Sequence, residues 1–334
     1  MKEKFIYTPI PKPERPLTRV ERLFASGAER SRSGNLKEQY KFQIKALLET
    51  GVLELMPEGN NVGYYDFKNQ VRPVPSYDEI MQRMEQNYDT LETKYKQGFT
   101  QLQLTPQLVS LSFLIDRTRD EILKAKKEGR LKATDGTELK LHERLQVFDH
   151  NLLKAETKGS LVYFPQRFQK TNHGGLTKEG LIDSPDLFRG YLITLTEDLP
   201  DLPAEGNGKI ISGRKQIEAN KSSLEYINLL QTDSQYTHET GITPEQWLIY
   251  FLTNLKRGRA IDIWSGERGG SKKGKLSFNF AGFLLARSPS ISYGYWNSDE
   301  GYVELGWSSL DDPHSLMRVP NYSARSAVIL RPVS

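Results

Sequence analysis

Apolar residues along this chain recur with two periods. After Tyr77 they fall at Met81, Met84, Tyr88, Leu91 and Tyr95, every three or four positions, which predicts one face of a helix. Ser76 and Glu79, following Pro75, have the S-x-x-E spacing of a capping box at its start, and Gly98 is placed to end it. "NLKEQYKFQIKALLETG" predicts an earlier helix that stops at Gly51, with "VLELM" alternating like a strand after it. "FTQLQL" reads as a strand and "LSFLIDRTRDEILKAKK" as a helix, and further strands are expected at Leu161 to Phe164 and at Gly190 to Glu197.

The best-marked element is "ITPEQWLIYFLTNLKRGRAIDIW". Thr243 can cap it, Pro244 suits the first helical position, and Gln246 has the spacing to complete a capping box. Trp247, Leu248, Phe251, Leu252 and Leu255 form a stripe, and Lys256, Arg257 and Gly258 suit the helix end. Beyond Gly258 the pattern changes to short strands and turns. In "SARSAVIL", Ala327 and Ile329 alternate with Val328 and Leu330, the pattern of a strand buried on both faces. The expected organisation is an extended Pro-rich arm over residues 1–35, a mixed α/β region over 36–97, and one α+β domain over 98–334.

Composition narrows the class. The chain has 334 residues, 37% hydrophobic and 26% charged, as a folded soluble protein would. A net charge of +4 is mild for that length, and the run "KAKKEGRLK" (Lys124 to Lys132) reads as a solvated helix end, so nucleic acid is not the expected partner. The absence of cysteine removes disulfides, thiol nucleophiles and Cys-ligated metals. No stretch approaches about 20 apolar residues and no apolar leader is visible, so no membrane insertion and a cytoplasmic location are expected.

Sequence signatures of catalysis do not close. "GGSKKGKL" fits a phosphate loop until Leu276 stands where a hydroxyl must bind magnesium, and "GNGKIISGRK" has Arg214 in the lysine position; both read as turns. The five histidines, His142, His150, His173, His238 and His314, lack the i, i+4 metal spacing. No G-x-S-x-G occurs, and carboxylate pairs such as Asp311 and Asp312 carry no assigned role. No catalytic residue, metal site or cofactor is expected.

The segment from Tyr293 to Tyr322 has a different vocabulary. Tyr293, Tyr295, Trp296, Tyr302, Trp307 and Tyr322 stand among Asn, Ser, Asp and His. Large flat rings and small polar groups are the residues of adaptable binding surfaces. "DLPAEGNGKIISGRKQIEANKSSLEYINLLQ", "GITPEQWLIYFLTNLKRGRAIDIW" and "YSARSAVI" occur in that order. Upstream come "LKEQYKFQIKALLETGVLELMPEG", "VRPVPSYDEI", "GFTQLQLTP", "LIDR", "LVYFPQRF" and "NHGGLTKEGLI". In these segments, over nearly its whole length, the chain resembles the target, or variable, proteins of diversity-generating retroelements.

That resemblance implies a C-type lectin-like fold of the version shared with formylglycine-generating enzymes, preceded by a mixed helical N-terminal region. It also implies a C-terminal variable region, here about residues 293–323, rewritten by adenine-directed mutagenesis. Formylglycine-generating activity is not expected without cysteines. A calcium-bridged sugar site is not expected either, because "WNSD" has the wrong spacing and E-P-N and Q-P-D are absent. Where the family has "HLE" and "IDDW", this chain has "NLK" and "IDIW".

The Trp codon contains no adenine, so Trp296 and Trp307 are expected to be scaffold. The expected ligand-binding surface is Asn297, Ser298, Tyr302, Ser309, Asp312, His314, Asn321 and Tyr322, exposed and clustered on one face. The expected function is binding of a protein or other macromolecular ligand. An enzyme on the same fold and a nucleic-acid-associated regulator remain as alternatives.

Overall fold

A computed structural model describes residues 15–26, 35–57, 61–142, 150–169, 171–265, 273–274, 276–285, 289–298, 300–310 and 322–332. Helix α1 (Arg19–Ser26) buries Val20 and Phe24, so the segment 1–35 is not extended throughout. Val20, Leu23 and Phe24 have helical spacing, and they find apolar partners in helices further along. Helix α2 (Leu36–Glu49) is capped by the Asn35 side chain, and Gly51 takes the left-handed φ of +71° that ends it. Strands β1 (Glu54–Leu55), β2 (Val62–Tyr65) and β3 (Val71–Pro73) form a small antiparallel sheet.

The helix expected from Tyr77 to Gly98 is two helices. Helix α3 (Tyr77–Gln86) opens with the reciprocal Ser76–Glu79 capping box. The backbone leaves helical geometry at Asn87, and α4 (Tyr88–Lys96) follows. Asn87 Nδ2 donates to Arg83 O at 2.9 Å and to Arg331 O at 2.6 Å, so the break also ties down the C-terminal end of the chain.

Next come β4 (Gln101–Pro106), α5 (Leu111–Lys127), α6 (His150–Thr157), β5 (Leu161–Tyr163), β6 (Leu176–Thr177), β7 (Leu187–Phe188) and β8 (Tyr191–Thr196). "GNGKIISGRK" is a turn, as expected. Strands β9 (Ile210–Ile211) and β10 (Arg214–Lys215) are joined by Ser212 and Gly213, both at positive φ, as a two-residue hairpin requires.

Helix α7 (Ser223–Thr232) and β11 (Glu239–Gly241) lead into α8 (Pro244–Lys256). Thr243 caps α8, accepting from Gln246 N at 3.0 Å. Gln246 turns its own side chain to Thr194 Oγ1, 2.9 Å away, in place of the cap. The reason is burial: every residue from Pro244 to Leu255 is enclosed, not a stripe alone, and a polar side chain there must find an internal partner.

Strands β12 (Ile263–Ser265), β13 (Lys273–Gly274), β14 (Leu276–Leu285), β15 (Pro289–Asn297), β16 (Tyr302–Ser309), β17 (Tyr322–Ala324) and β18 (Ser326–Ile329) complete the described chain. One sheet runs β11-β18-β8-β4, with β7 beside β8; the other runs β13-β12-β15-β14-β5-β6, with β16 on β15 and β17 on β14. Pairing is antiparallel except for β12 with β15 and β14 with β17. The fold class is α+β.

β18 lies inside its sheet. Ala327 faces the core around Trp247, whereas Val328 and Leu330 face a second core with α1, α3 and α4. The strand is thus buried on both sides, as its alternation predicted. Leu47, Val52, Leu53 and Tyr64, from the segment 36–97, share the core of Trp247. Among the described residues no helix is long and apolar enough to cross a membrane.

Candidate recognition surface

Strands β15 and β16 form a hairpin in continuous register, from Ser290 opposite Ser309 to Asn297 opposite Tyr302. Strand alternation divides its side chains between two faces. Trp296, Val303 and Leu305 point inward and are fully buried in the main core. The Trp296 ring lies parallel to Phe251, centroids 6.4 Å apart, and Phe251 stacks on Trp247 at 5.5 Å. Gly294 allows this contact, since a Cβ there would come within 2.5 Å of the Trp247 ring. Trp307 is half-buried against the same core.

The turn at the tip is built by Asn297 and Gly301. Asn297 Oδ1 accepts from Glu300 N at 3.1 Å, and Asn297 O accepts from Gly301 N at 2.7 Å. Gly301, at φ +71°, rests on the segment before α6: its carbonyl accepts from His142 N at 2.9 Å, and a Cβ would meet Lys140 O at 2.8 Å.

These contacts correct part of the expected surface. Asn297 is only 3% exposed, because its side chain holds the turn together. Ser298 is half-buried in that turn. Ser309 pairs with Ser290 on the opposite face from Tyr302, and about 23 Å of strand separates them, so the two do not cluster. Tyr322 contributes backbone to β17 beside β14. Asp312, His314 and Asn321 lie outside the described residues.

The other face of the hairpin brings together Tyr293, Tyr295, Tyr302 and Glu304. Tyr295 is directly opposite Glu304, and Tyr302 lies two residues before it on the same strand. All three phenols donate to that one carboxylate: Tyr293 at 2.8 Å, Tyr295 at 2.5 Å and Tyr302 at 3.4 Å. The Tyr293 and Tyr295 rings have centroids 6.0 Å apart. Burial, then the adjacent Glu304 charge, pushes the Tyr302 hydroxyl up to about 12. Burial, followed by the bond to Glu304, raises Tyr295 further. The Tyr295 and Tyr302 phenols therefore remain protonated at neutral pH.

Reasoning from codons missed Glu304 as the centre of this group. The signal was the two-residue spacing Y-x-Y before the turn and Y-x-E after it, which becomes a cluster once the hairpin register is known.

Behind the hairpin, Asp262 connects three elements. It is fully buried, at φ +49°. Its carboxylate accepts from Trp247 Nε1 of α8 at 3.0 Å and from Arg325 Nε and Nη2 at 2.9 and 2.6 Å, and its carbonyl accepts from Trp296 N at 2.9 Å. Burial disfavours the Arg325 charge, but Asp262 outweighs it and the guanidinium is held above its ordinary value. Arg325 is where the chain passes from β17 in one sheet to β18 in the other. One residue on, Ser326 Oγ donates to Glu239 at 2.7 Å, and Glu239 is also bound by Arg214 at 2.7 Å and Lys94 at 2.8 Å. The chain is therefore anchored just before the hairpin tip and just after residue 321.

A cleft of about 880 Å³ lies elsewhere, between α1, α4 and the segment after β8. Its carboxylates are engaged by protein groups: Glu197 by Arg214 and Gln216, Asp198 by Arg259, and Asp201 by Thr134. Among the described residues no group of three or more His, Asp or Glu side chains could hold a metal ion. No family model, curated protein or solved structure matches this chain.

Proposed function

We propose that this chain is a ligand-binding target protein of a diversity-generating retroelement, displaying variable side chains on a C-type lectin-like scaffold of the formylglycine-generating-enzyme type. One observation carries the reading: near its tip the hairpin β15–β16 sends alternate residues of β16 into the main core and to a polar aromatic face. Trp296, Val303 and Leu305 are buried, while Tyr302 and Glu304 on the alternate positions stay partly open to solvent. Such a division lets outward residues change without disturbing the inward ones, which is what diversification requires. The fixed order of resembling segments and the anchoring of Trp296 and Arg325 by one buried aspartate support the same reading. Within the expected surface, Ser298, Tyr302 and the segment up to Tyr322 carry the proposal; Asn297 and Ser309 are reassigned to the frame.

The neighbouring DNA tests it. A reverse-transcriptase gene and a near-copy of the last hundred or so bases of this gene are expected, with substitutions at adenines. Sibling strains are expected to differ between Ser298 and Tyr322 and not in Trp296, Val303 or Leu305. Neighbouring DNA with neither element, together with sibling differences spread evenly over the chain, would overturn the reading.

A further inference from the structure

Toward the hairpin tip the face that carries Tyr302 and Glu304 is phenolic and acidic. From Pro289 to Leu310 the chain contains Asp299, Glu300 and Glu304 and no Lys or Arg, although the whole protein carries a net charge of +4. Among the described residues Glu304 forms no ion pair, and its carboxylate accepts from three phenol hydroxyls. A phenol has one proton to donate, and here all three hydroxyls lie against the carboxylate, Tyr302 sharing its contacts with Glu300 and Asn297. What the oxygens can offer an incoming group is lone pairs, and what the rings offer is the negative face of their π-systems. An anion would meet acceptors alone. A cation would meet a carboxylate, phenol oxygens and aromatic rings together.

We propose that Tyr293, Tyr295, Tyr302 and Glu304 form a binding site for an organic cation, the ammonium or guanidinium of a Lys or Arg side chain presented by a partner protein. This rests on the reading of the hairpin as a recognition surface and names the chemistry of what it recognises. The source is a protein because these side chains lie on one face of the large sheet, apart from the large cleft, so a free amine would gain few contacts beyond its charge. A side chain carried on a macromolecular surface adds contact area around the same charge. Tyr293, Tyr302 and Glu304 are each partly exposed, so the cation can approach from solvent.

The test uses the full chain with isotope-labelled tyrosine, the ring signals being assigned by single Tyr→Phe changes. It is titrated separately with n-butylammonium, n-butylguanidinium, butyrate and a short peptide carrying two lysines. Saturable shifts of the Tyr293, Tyr295 and Tyr302 signals are expected with both cations and with the peptide, the peptide binding more tightly, and none with butyrate. Glu304→Gln is expected to weaken cation binding about tenfold or more, and Tyr302→Phe, which keeps the ring, to change it by no more than about threefold. If Glu304→Gln lowers the melting temperature sharply, Tyr302→Ala at the rim replaces it, with the same weakening expected. Absence of saturable shifts with the cations, equal binding by butyrate, or full binding in Glu304→Gln and Tyr302→Ala would overturn the site. A free amine binding as tightly as the peptide would overturn the protein source. The retroelement reading stands or falls on the neighbouring DNA, so a negative titration beside a positive DNA result removes the cation site alone.

Discussion

Helix α8 and the hairpin β15–β16 meet at the stack of Trp247, Phe251 and Trp296, yet they tolerate change differently. From Pro244 to Leu255 α8 has no residue facing water, so its polar side chains are committed inward: Glu245 to Gln107 and Tyr163, Gln246 to Thr194, Asn254 to a backbone carbonyl. The hairpin has one face in the main core; on the other, Ile291 joins a separate apolar cluster while Tyr302 and Glu304 nearer the tip are partly open to solvent. An element enclosed all round leaves little room for variation, whereas an element with a period of two can hold half its residues constant and release the rest.

The largest break in this comparison is expected at the shared stack. Trp247→Ala should destabilise by about 3–5 kcal/mol, the usual result of deleting a core aromatic, here with the loss of a hydrogen bond to Asp262. Urea unfolding measures it; a change below about 1 kcal/mol would mean that α8 is not the support of the hairpin.

Arg325→Leu should cost about 3–5 kcal/mol, because it leaves Asp262 buried without its ion-pair partner. If Asp262→Asn in the same chain recovers part of that loss, the stranded charge is the cause; no recovery points to lost packing.

Gly294→Ala tests the contact between the two elements directly. The added methyl would strike the Trp247 ring, and a loss of about 1–3 kcal/mol is expected. Asn297→Ala should cost about 1 kcal/mol through the turn bond to Glu300 N, in contrast to Ser298→Ala beside it, for which about 0.5 kcal/mol or less is expected. Equal effects at both positions would contradict the assignment of Asn297 to the frame.

The smallest effect concerns pH. The Tyr302 hydroxyl is raised to about 12 in the folded protein, above the ordinary phenol value near 10. Between those values the folded state holds a proton that the unfolded state has released, so stability is fully present below about pH 10 and is lost as pH rises toward 12. Melting temperatures taken between pH 9 and 11 should fall less steeply in Tyr302→Phe than in the parent protein. Parallel curves would place Tyr302 outside the influence of Glu304.

Much of the scaffold was legible because it depends on neighbours in sequence. A cap and its third residue, as at Ser76 and Glu79, are local, and so is the alternation of Ala327, Val328, Ile329 and Leu330 that marks a strand buried on both faces. The fate of Asn297 was not legible in this way. Its codon and polarity suit a variable surface residue, but a four-residue turn needs an acceptor at that place, and only the register of the hairpin reveals it.

By itself, then, the sequence determined the helices with their caps, the core strand at the C-terminus, the absence of thiol chemistry and the segment in which aromatic and small polar residues gather, since each follows from residue type and short-range spacing. Tertiary structure alone decided that Glu304 gathers three phenols, that Ser309 faces away from Tyr302, and that Asp262 joins Trp247, Trp296 and Arg325. Those relations join residues as far apart as 247 and 325, or invert with a shift of one residue in register, and the pairing that sets them forms only when the sheets assemble.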